Sequence, residues 1–258
     1  MKHITSKDNP TYKELSKLAS SARQRAKQRQ TLLDGAHLLD AYLASGNTPL
    51  QLIVTDTAQY DLEISALIKK MPDVPIVQLD DTLFAELSDL KSVSGVLALI
   101  TIPHVELPPQ SKEFCLLLEN IQDPGNLGSM LRSAAAAGCD AVFMSSGCAD
   151  AWSPKVLRAA MGGHFVLSLH EDADLLNMTT IFPGKLYAAA LFAKVSLYSC
   201  NLQDKIAFAI GNEGAGLSKE LLDRAEPVYI PMPGKVESLN AAAATAICLF
   251  EAVRQRSN

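Results

Sequence analysis

Glu213 stands in a run made almost wholly of turn formers, Gly211-Asn-Glu-Gly-Ala-Gly-Leu-Ser218, and Ser238 and Asn240 close a second such run, Ile230-Pro-Met-Pro-Gly-Lys-Val-Glu-Ser-Leu-Asn240. Glycine lets backbone groups approach a ligand closely, while a carboxylate, a hydroxyl and an amide offer proton acceptance and directed hydrogen bonds. Each run follows a short apolar stretch with the character of a strand, Ile206 to Ile210 and Val228 to Ile230. Open α/β sheets bind ligands beyond the carboxyl ends of their strands, so the two turns are expected to frame one pocket.

Two nucleotide motifs are excluded. The glycines fall as G-x-x-G-x-G, the wrong order for the dinucleotide fingerprint, and Leu217-Ser218 stands where a phosphate-cradling loop needs Lys and then Ser or Thr. For the first run alone, a glycine-rich turn without a ligand remains an equal alternative. The second run leads into Ala241-Ala-Ala-Ala-Thr-Ala-Ile-Cys-Leu-Phe250, a helix that Ser238 is placed to cap, with Asn240 in its first turn. A third segment, Leu116 to Gly138, has a buried strand, a turn through Asp123-Pro124-Gly125 and an alanine-rich helix with Asn126 at its mouth. Arg132, six residues on, would by itself be a solvated helix charge.

In this order the three segments resemble the SpoU family of RNA ribose 2′-O-methyltransferases, part of the knotted SPOUT class that uses S-adenosylmethionine. The resemblance covers roughly Phe114 to Arg256 and is carried by Asn126-Leu-Gly-Ser-Met-Leu-Arg132, Gly211-Asn-Glu-Gly-Ala-Gly216 and the 230–240 run. Ser133 replaces the threonine more usual after the arginine, and the hydroxyl survives. The resemblance implies an α/β catalytic domain with a mostly parallel sheet and a deep trefoil knot. It implies S-adenosylmethionine as cofactor, against Leu191, Gly211, Asn212, Gly216, Ile230, Met232, Ser238 and Leu239. Asn126, Arg132, Glu213, Ser238 and Asn240 would face ribose and phosphate, with no metal. The arginine is often drawn as a general base in this family; a guanidinium is a very weak acid that stays protonated in proteins and then offers no acceptor, so a phosphate clamp that stabilises a developing alkoxide suits it better. The proton could leave through phosphate, water or Glu213, and Glu213 could equally be a structural carboxylate that binds turn amides.

The rest of the chain must position these groups. Its 258 residues exceed one typical domain, and 48% hydrophobic with 20% charged residues describes a soluble globular protein. No membrane span or signal peptide is evident, which points to the cytoplasm. Cys115, Cys139, Cys148, Cys200 and Cys248 form no C-x-x-C pair and are expected as reduced thiols in or near the core.

The overall charge of −5 conceals an asymmetry: residues 1–30 hold eight basic against two acidic side chains, net +6, leaving −11 on the remainder. Lys7, Lys13, Arg23, Arg25, Lys27 and Arg29 are accordingly expected to track RNA phosphates, against the alternative of a solvated amphipathic helix. From Thr31 to Thr101 strands and helices alternate, a small α/β unit. It is similar to the substrate-binding domain that precedes the catalytic domain in family members acting on large-subunit ribosomal RNA, down to the Asp34-Gly35 step between strand and helix.

Three prolines in 103–112 mark the boundary. The expected layout is an RNA-binding domain over 1–103, a linker over 104–112 and a catalytic domain over 113–258, in a homodimer. A helix from Pro154 to Met161 and a strand near Phe165 to Leu169 belong to the catalytic stretch, where Trp152 and His164 are expected in packed or surface roles rather than catalytic ones. Ribosomal RNA is the expected substrate. The alternatives are transfer RNA, a non-catalytic RNA-binding or assembly factor on the same fold, and an enzyme of another nucleotide.

Overall fold

The computed structural model describes residues 2–88, 94–103 and 113–257. The proposed linker, 104–112, lies outside the described residues. The chain forms two compact units, Met1–His104 with Trp152–Phe165, and Val105–Ala151 with Val166–Asn258.

In the first unit the elements run β1 (Lys2–Ile4), α1 (Pro10–Ser20), α2 (Ala22–Gln28), β2 (Gln30–Asp34), α3 (Ala36–Ala44), β3 (Gln51–Thr55), α4 (Leu62–Lys69), β4 (Ile76–Leu79), α5 (Asp81–Leu87) and β5 (Val96–Thr101). The strands order as β1-β4-β3-β5-β2, with β1, β4 and β3 parallel and β5 antiparallel to β3 and β2. Leu15 and Leu18 of α1 pack on Ile53, Val77 and Phe84 in its core. At the Asp34-Gly35 step, Gly35 takes φ +102° and starts α3, while the Asp34 carboxylate accepts from the Ser88 and Ser94 hydroxyls. β1 and the break between α1 and α2 were hidden inside the basic stretch, whose charge masks the three-residue strand.

Trp152–Phe165 lies in the catalytic stretch by order but in the first unit by contact. The Thr31 hydroxyl of β2 donates to Trp152 O at 2.8 Å, Tyr42 meets Phe165 edge to face at 5.1 Å, and Trp152 and His164 are buried against each other. The expected strand near Phe165 is corrected: Gly163–Phe165 is a 3-10 turn and the strand begins at Ser168.

The second unit, with helix Pro154–Ala160 counted as α7, runs β6 (Phe114–Leu118), α6 (Pro124–Ala136), β7 (Ala141–Met144), β8 (Ser168–His170), α8 (Leu175–Ile181), β9 (Lys185–Ala189), β10 (Val195–Ser196), β11 (Ile206–Ile210), α9 (Lys219–Leu222), β12 (Glu226–Tyr229) and α10 (Ala241–Arg256). Its seven strands order as β10-β12-β9-β11-β6-β7-β8, every pairing parallel. The central β6 and β11 are continuous apolar runs, FCLLL and IAFAI, buried throughout, as strands covered on both faces must be. Parallelism carries the turns after β6, β9, β11 and β12 to one edge of the sheet.

The basic stretch needs a correction at Arg25. That side chain is only 5% exposed, and its guanidinium donates to the carbonyls of Leu18 and Ala19, so it serves the α1–α2 junction rather than a phosphate. Arg29, in the left-handed conformation after α2, donates to Ile102 O and Pro103 O. Lys7 and Lys13 pair with Glu86 and Asp8 at the surface, and Arg23 and Lys27 are exposed one turn apart on α2. Arg25→Ala should therefore cost about 2 kcal/mol of stability through lost charged hydrogen bonds, and Arg23→Ala less than about 0.5. Equal unfolding midpoints for the two variants in urea would contradict this placement.

Candidate active site

The turn after β11 is held by two side chains, Asn212 and Glu119, and the sequence pattern points only to the first of them. Glu119, at the end of β6, accepts from Ser218 N at 2.6 Å through one oxygen and from the Ser218 hydroxyl at 2.7 Å through the other. Ser218 in turn caps α9, accepting from Leu221 N. At the other end of the turn, Asn212 donates from Nδ2 to Asn120 O, and its Oδ1 accepts from Gly214 N and Ala215 N. Only a carboxylate closing an otherwise apolar strand, Leu118-Glu119-Asn120, hinted at this role.

Gly211 is required by that folded turn. A Cβ there would lie 2.2 Å from the carbonyl carbon of Gly216 and 2.3 Å from Leu217 N, both backbone atoms that cannot yield. The glycine keeps the turn closed on itself, which is a different reason from direct approach to a ligand.

Around this turn lies a cavity of about 310 Å³, walled by the segments after β9, β11 and β12 and by the start of α10. Leu191, Gly211, Asn212, Gly216, Ile230, Met232, Ser238 and Leu239 all line it, as does Glu213. Apolar side chains and glycines predominate among its lining residues, with Asn212, Glu213, Tyr229 and Ser238 as the polar ones.

At the rim three of the candidate polar residues form one hydrogen-bonded chain. Asn240, not Ser238, is the N-cap of α10: its Oδ1 accepts from Ala242 N at 2.9 Å and Ala243 N at 3.2 Å. With its oxygen so engaged, Asn240 presents Nδ2, which donates to Asn126 Oδ1 at 2.9 Å; Asn126 then donates from its own Nδ2 to Glu213 Oε1 at 2.9 Å. Asn126 is itself held by the first turn of α6, where Asp123 caps the helix and accepts from Asn126 N at 2.7 Å. Ser238 is exposed on the cavity wall and outside this chain.

Arg132 is exposed on α6 and, among the described residues, makes no hydrogen bond or ion pair with the other four. Six helical residues turn it about 120° from Asn126 and carry it about 9 Å along the axis. The structure thus joins Asn126, Glu213 and Asn240, sets Ser238 beside the cavity and leaves the guanidinium free to meet an anion from solvent.

Asn240→Ala should lower the unfolding free energy by about 1 kcal/mol, and Asn240→Ser by only a few tenths, because serine retains the cap acceptor but not the Nδ2 donor. Calorimetric melting of both variants checks this; equal losses would locate the stabilisation in the link to Asn126 instead.

The profile of the SpoU rRNA Methylase family matches residues 113–250, and that of the MRM3-like substrate binding domain matches residues 9–98. A 23S rRNA (guanosine(2553)-2′-O)-methyltransferase of Bacillus subtilis is 32% identical over 256 residues, covering 97% of this chain and 98% of its own. Among solved structures, an RNA 2′-O ribose methyltransferase superposes with a TM-score of 0.85 at 31% identity, over 99% of this chain and 100% of that one. An S-adenosylmethionine-bound rRNA methyltransferase from Sinorhizobium meliloti gives 0.84 at 26% identity, over 98% and 97%. With the family profile spanning the whole site-bearing stretch and relatives aligned end to end, this chain belongs to the SpoU rRNA methylase family.

Proposed function

We propose that this protein transfers the methyl group of S-adenosylmethionine to a ribose 2′-oxygen of ribosomal RNA. The observation that carries this is the meeting of a glycine-walled cavity with an amide–carboxylate chain at its rim. A volume of about 310 Å³ falls within the range of small-molecule sites, about 300 to 1,000 Å³. Apolar Leu191, Ile230 and Leu239 suit an adenine and its sugar, and the backbone of the 211–216 turn supplies polar contacts. When bound, the cofactor supplies a methyl carbon already activated by a positive sulfur.

The chain's own task is then positioning. Holding the two reacting groups in line is worth on the order of 7 to 11 kcal/mol. Asn126, locked between Asn240 and Glu213, retains one free N–H and one free lone pair with which to orient a ribose. Arg132 grips the adjoining phosphate and stabilises negative charge as it develops on the 2′-oxygen. The hydroxyl of Ser238 contributes a further contact from the cavity wall.

Ribosomal RNA is favoured over transfer RNA because the first unit, matched by a substrate-binding profile, spans most of the remaining chain. Its exposed Arg23 and Lys27 are the best placed cations for phosphate, with Lys7, Lys13 and Arg29 at the margin and Arg25 withdrawn. The same reading carries over the trefoil knot of the class, a cytoplasmic location beside the ribosome, and a homodimer. For the dimer, Ser129 and Ala136 are exposed small residues on α6, and Phe250 of α10 is 46% exposed. Sedimentation of the active protein as a 27.7 kDa monomer at micromolar concentration would exclude that assembly.

Calorimetric titration should give micromolar binding of S-adenosylmethionine and none of ATP. Arg132→Ala should cut single-turnover methyl transfer to rRNA by about a hundredfold or more, consistent with loss of one electrostatic contact in the transition state, and leave cofactor affinity nearly intact. Unchanged turnover would remove Arg132 from the site. Arg23→Ala with Lys27→Ala should weaken RNA binding and flatten its salt dependence by roughly one unit of slope per lost phosphate contact; an unaltered slope would make α2 mere surface.

A further inference from the structure

We infer that Glu213 is the group that accepts the proton of the ribose hydroxyl during methyl transfer, an assignment that rests on the function proposed above. Among the described residues, Glu213 is the carboxylate that lines the cavity, and the two neighbouring carboxylates at the turn after β11 are engaged in holding local structure. Glu119 spends both oxygens on Ser218, and Asp123 caps α6. Turn amides do not occupy Glu213 either, because the N–H groups of Gly214 and Ala215 are taken by Asn212. What remains is an exposed carboxylate on the cavity wall whose Oε1 accepts from Asn126 and whose Oε2 has no partner among the described residues.

The other polar groups at the rim are poor acceptors of a proton. The amides of Asn126 and Asn240 are not bases near neutral pH, the Ser238 hydroxyl is no more basic than the ribose hydroxyl, and a protonated guanidinium has no acceptor site. The hydrogen-bonded chain sharpens the choice. Because two backbone N–H groups at the start of α10 hold Asn240 Oδ1, each amide in the chain can face only one way, and the chain ends as an N–H donor aimed at Glu213. A donor there orients the carboxylate and leaves the second oxygen directed elsewhere. As the hydroxyl's O–H bond breaks, Glu213 Oε2 takes the proton. The freed pair on the 2′-oxygen forms the bond to the methyl carbon, and the carbon–sulfur pair stays on sulfur, so an anionic carboxylate and a cationic sulfonium end as two neutral groups.

The test separates the base from the scaffold. Glu213→Gln keeps an oxygen to accept from Asn126 and removes the base. Single-turnover methyl transfer to the organism's own large-subunit rRNA, transcribed in vitro, should fall about 10²- to 10⁴-fold at saturating cofactor and RNA, the usual worth of general-base catalysis. Dissociation constants for S-adenosylmethionine and for that RNA should stay within about twofold of wild type. Glu213→Ala should lose a similar factor and regain rate when formate or acetate is added, acetate being the more effective because it is the more basic. A Glu213→Gln rate within about threefold of wild type, or a Glu213→Ala protein indifferent to added carboxylates, would overturn the assignment. Wild-type protein that transfers no methyl to RNA would instead sink the proposed function, and this role with it.

Discussion

Two backbone N–H groups at the first turn of α10 decide which way the site's amides face. They bind Asn240 Oδ1, and from that one constraint Asn240 must donate to Asn126 and Asn126 must donate to Glu213. A helix start always has unpaired donors to satisfy. Here their satisfaction gives direction to a hydrogen-bonded chain that crosses from α10 to α6 to the turn after β11. An isolated asparagine could flip its amide; one that caps a helix cannot do so without orphaning those donors.

The parallel sheet supplies the convergence on which that chain depends. Since every strand pairing in the seven-stranded sheet is parallel, the segments after β6, β9, β11 and β12 emerge along one edge. Proximity alone would leave mobile loops. The turn after β11 is tied down at one end by Glu119 on Ser218 and at the other by Asn212 on Asn120, and Gly211 lets the turn fold back against its own backbone. These ties leave Glu213 with its single bond to Asn126. Rigid support and a free carboxylate arise from the same division of labour among side chains.

Much of this was legible in the sequence where local pattern carries the information. β7, β11 and α5 begin and end where apolar runs and caps place them, and the three segments bearing Asn126, Glu213 and Asn240 announce a site by their residue types. What was not legible depends on contacts distant in the chain. Arg25 differs in no local respect from Arg23 or Lys27, yet only Arg25 turns inward to Leu18 and Ala19. Ser238 and Asn240 are both good caps, and the choice between them is made by the conformation of the preceding turn and by the partner, Asn126, on another helix. Trp152–Phe165 sits among catalytic-stretch elements by order, while its packing against β2 and α3 is a tertiary fact. Gly211 lines the cavity as its residue type suggests, while its close approach to the backbone of Gly216 and Leu217 depends on a folded turn that local pattern does not reveal.

The central claim is the identity of the modified atom. Large-subunit rRNA transcribed in vitro, methylated by this protein with radiolabelled S-adenosylmethionine and then hydrolysed in alkali, should release the label in an uncleaved dinucleotide, because a methylated 2′-oxygen can no longer attack the adjoining phosphate. The same transcript carrying a 2′-deoxy residue at the modified position should take up no label and bind nearly as well, since phosphate contacts supply most of the affinity. Label recovered on a base, in a nucleotide that alkali still releases singly, would contradict the account.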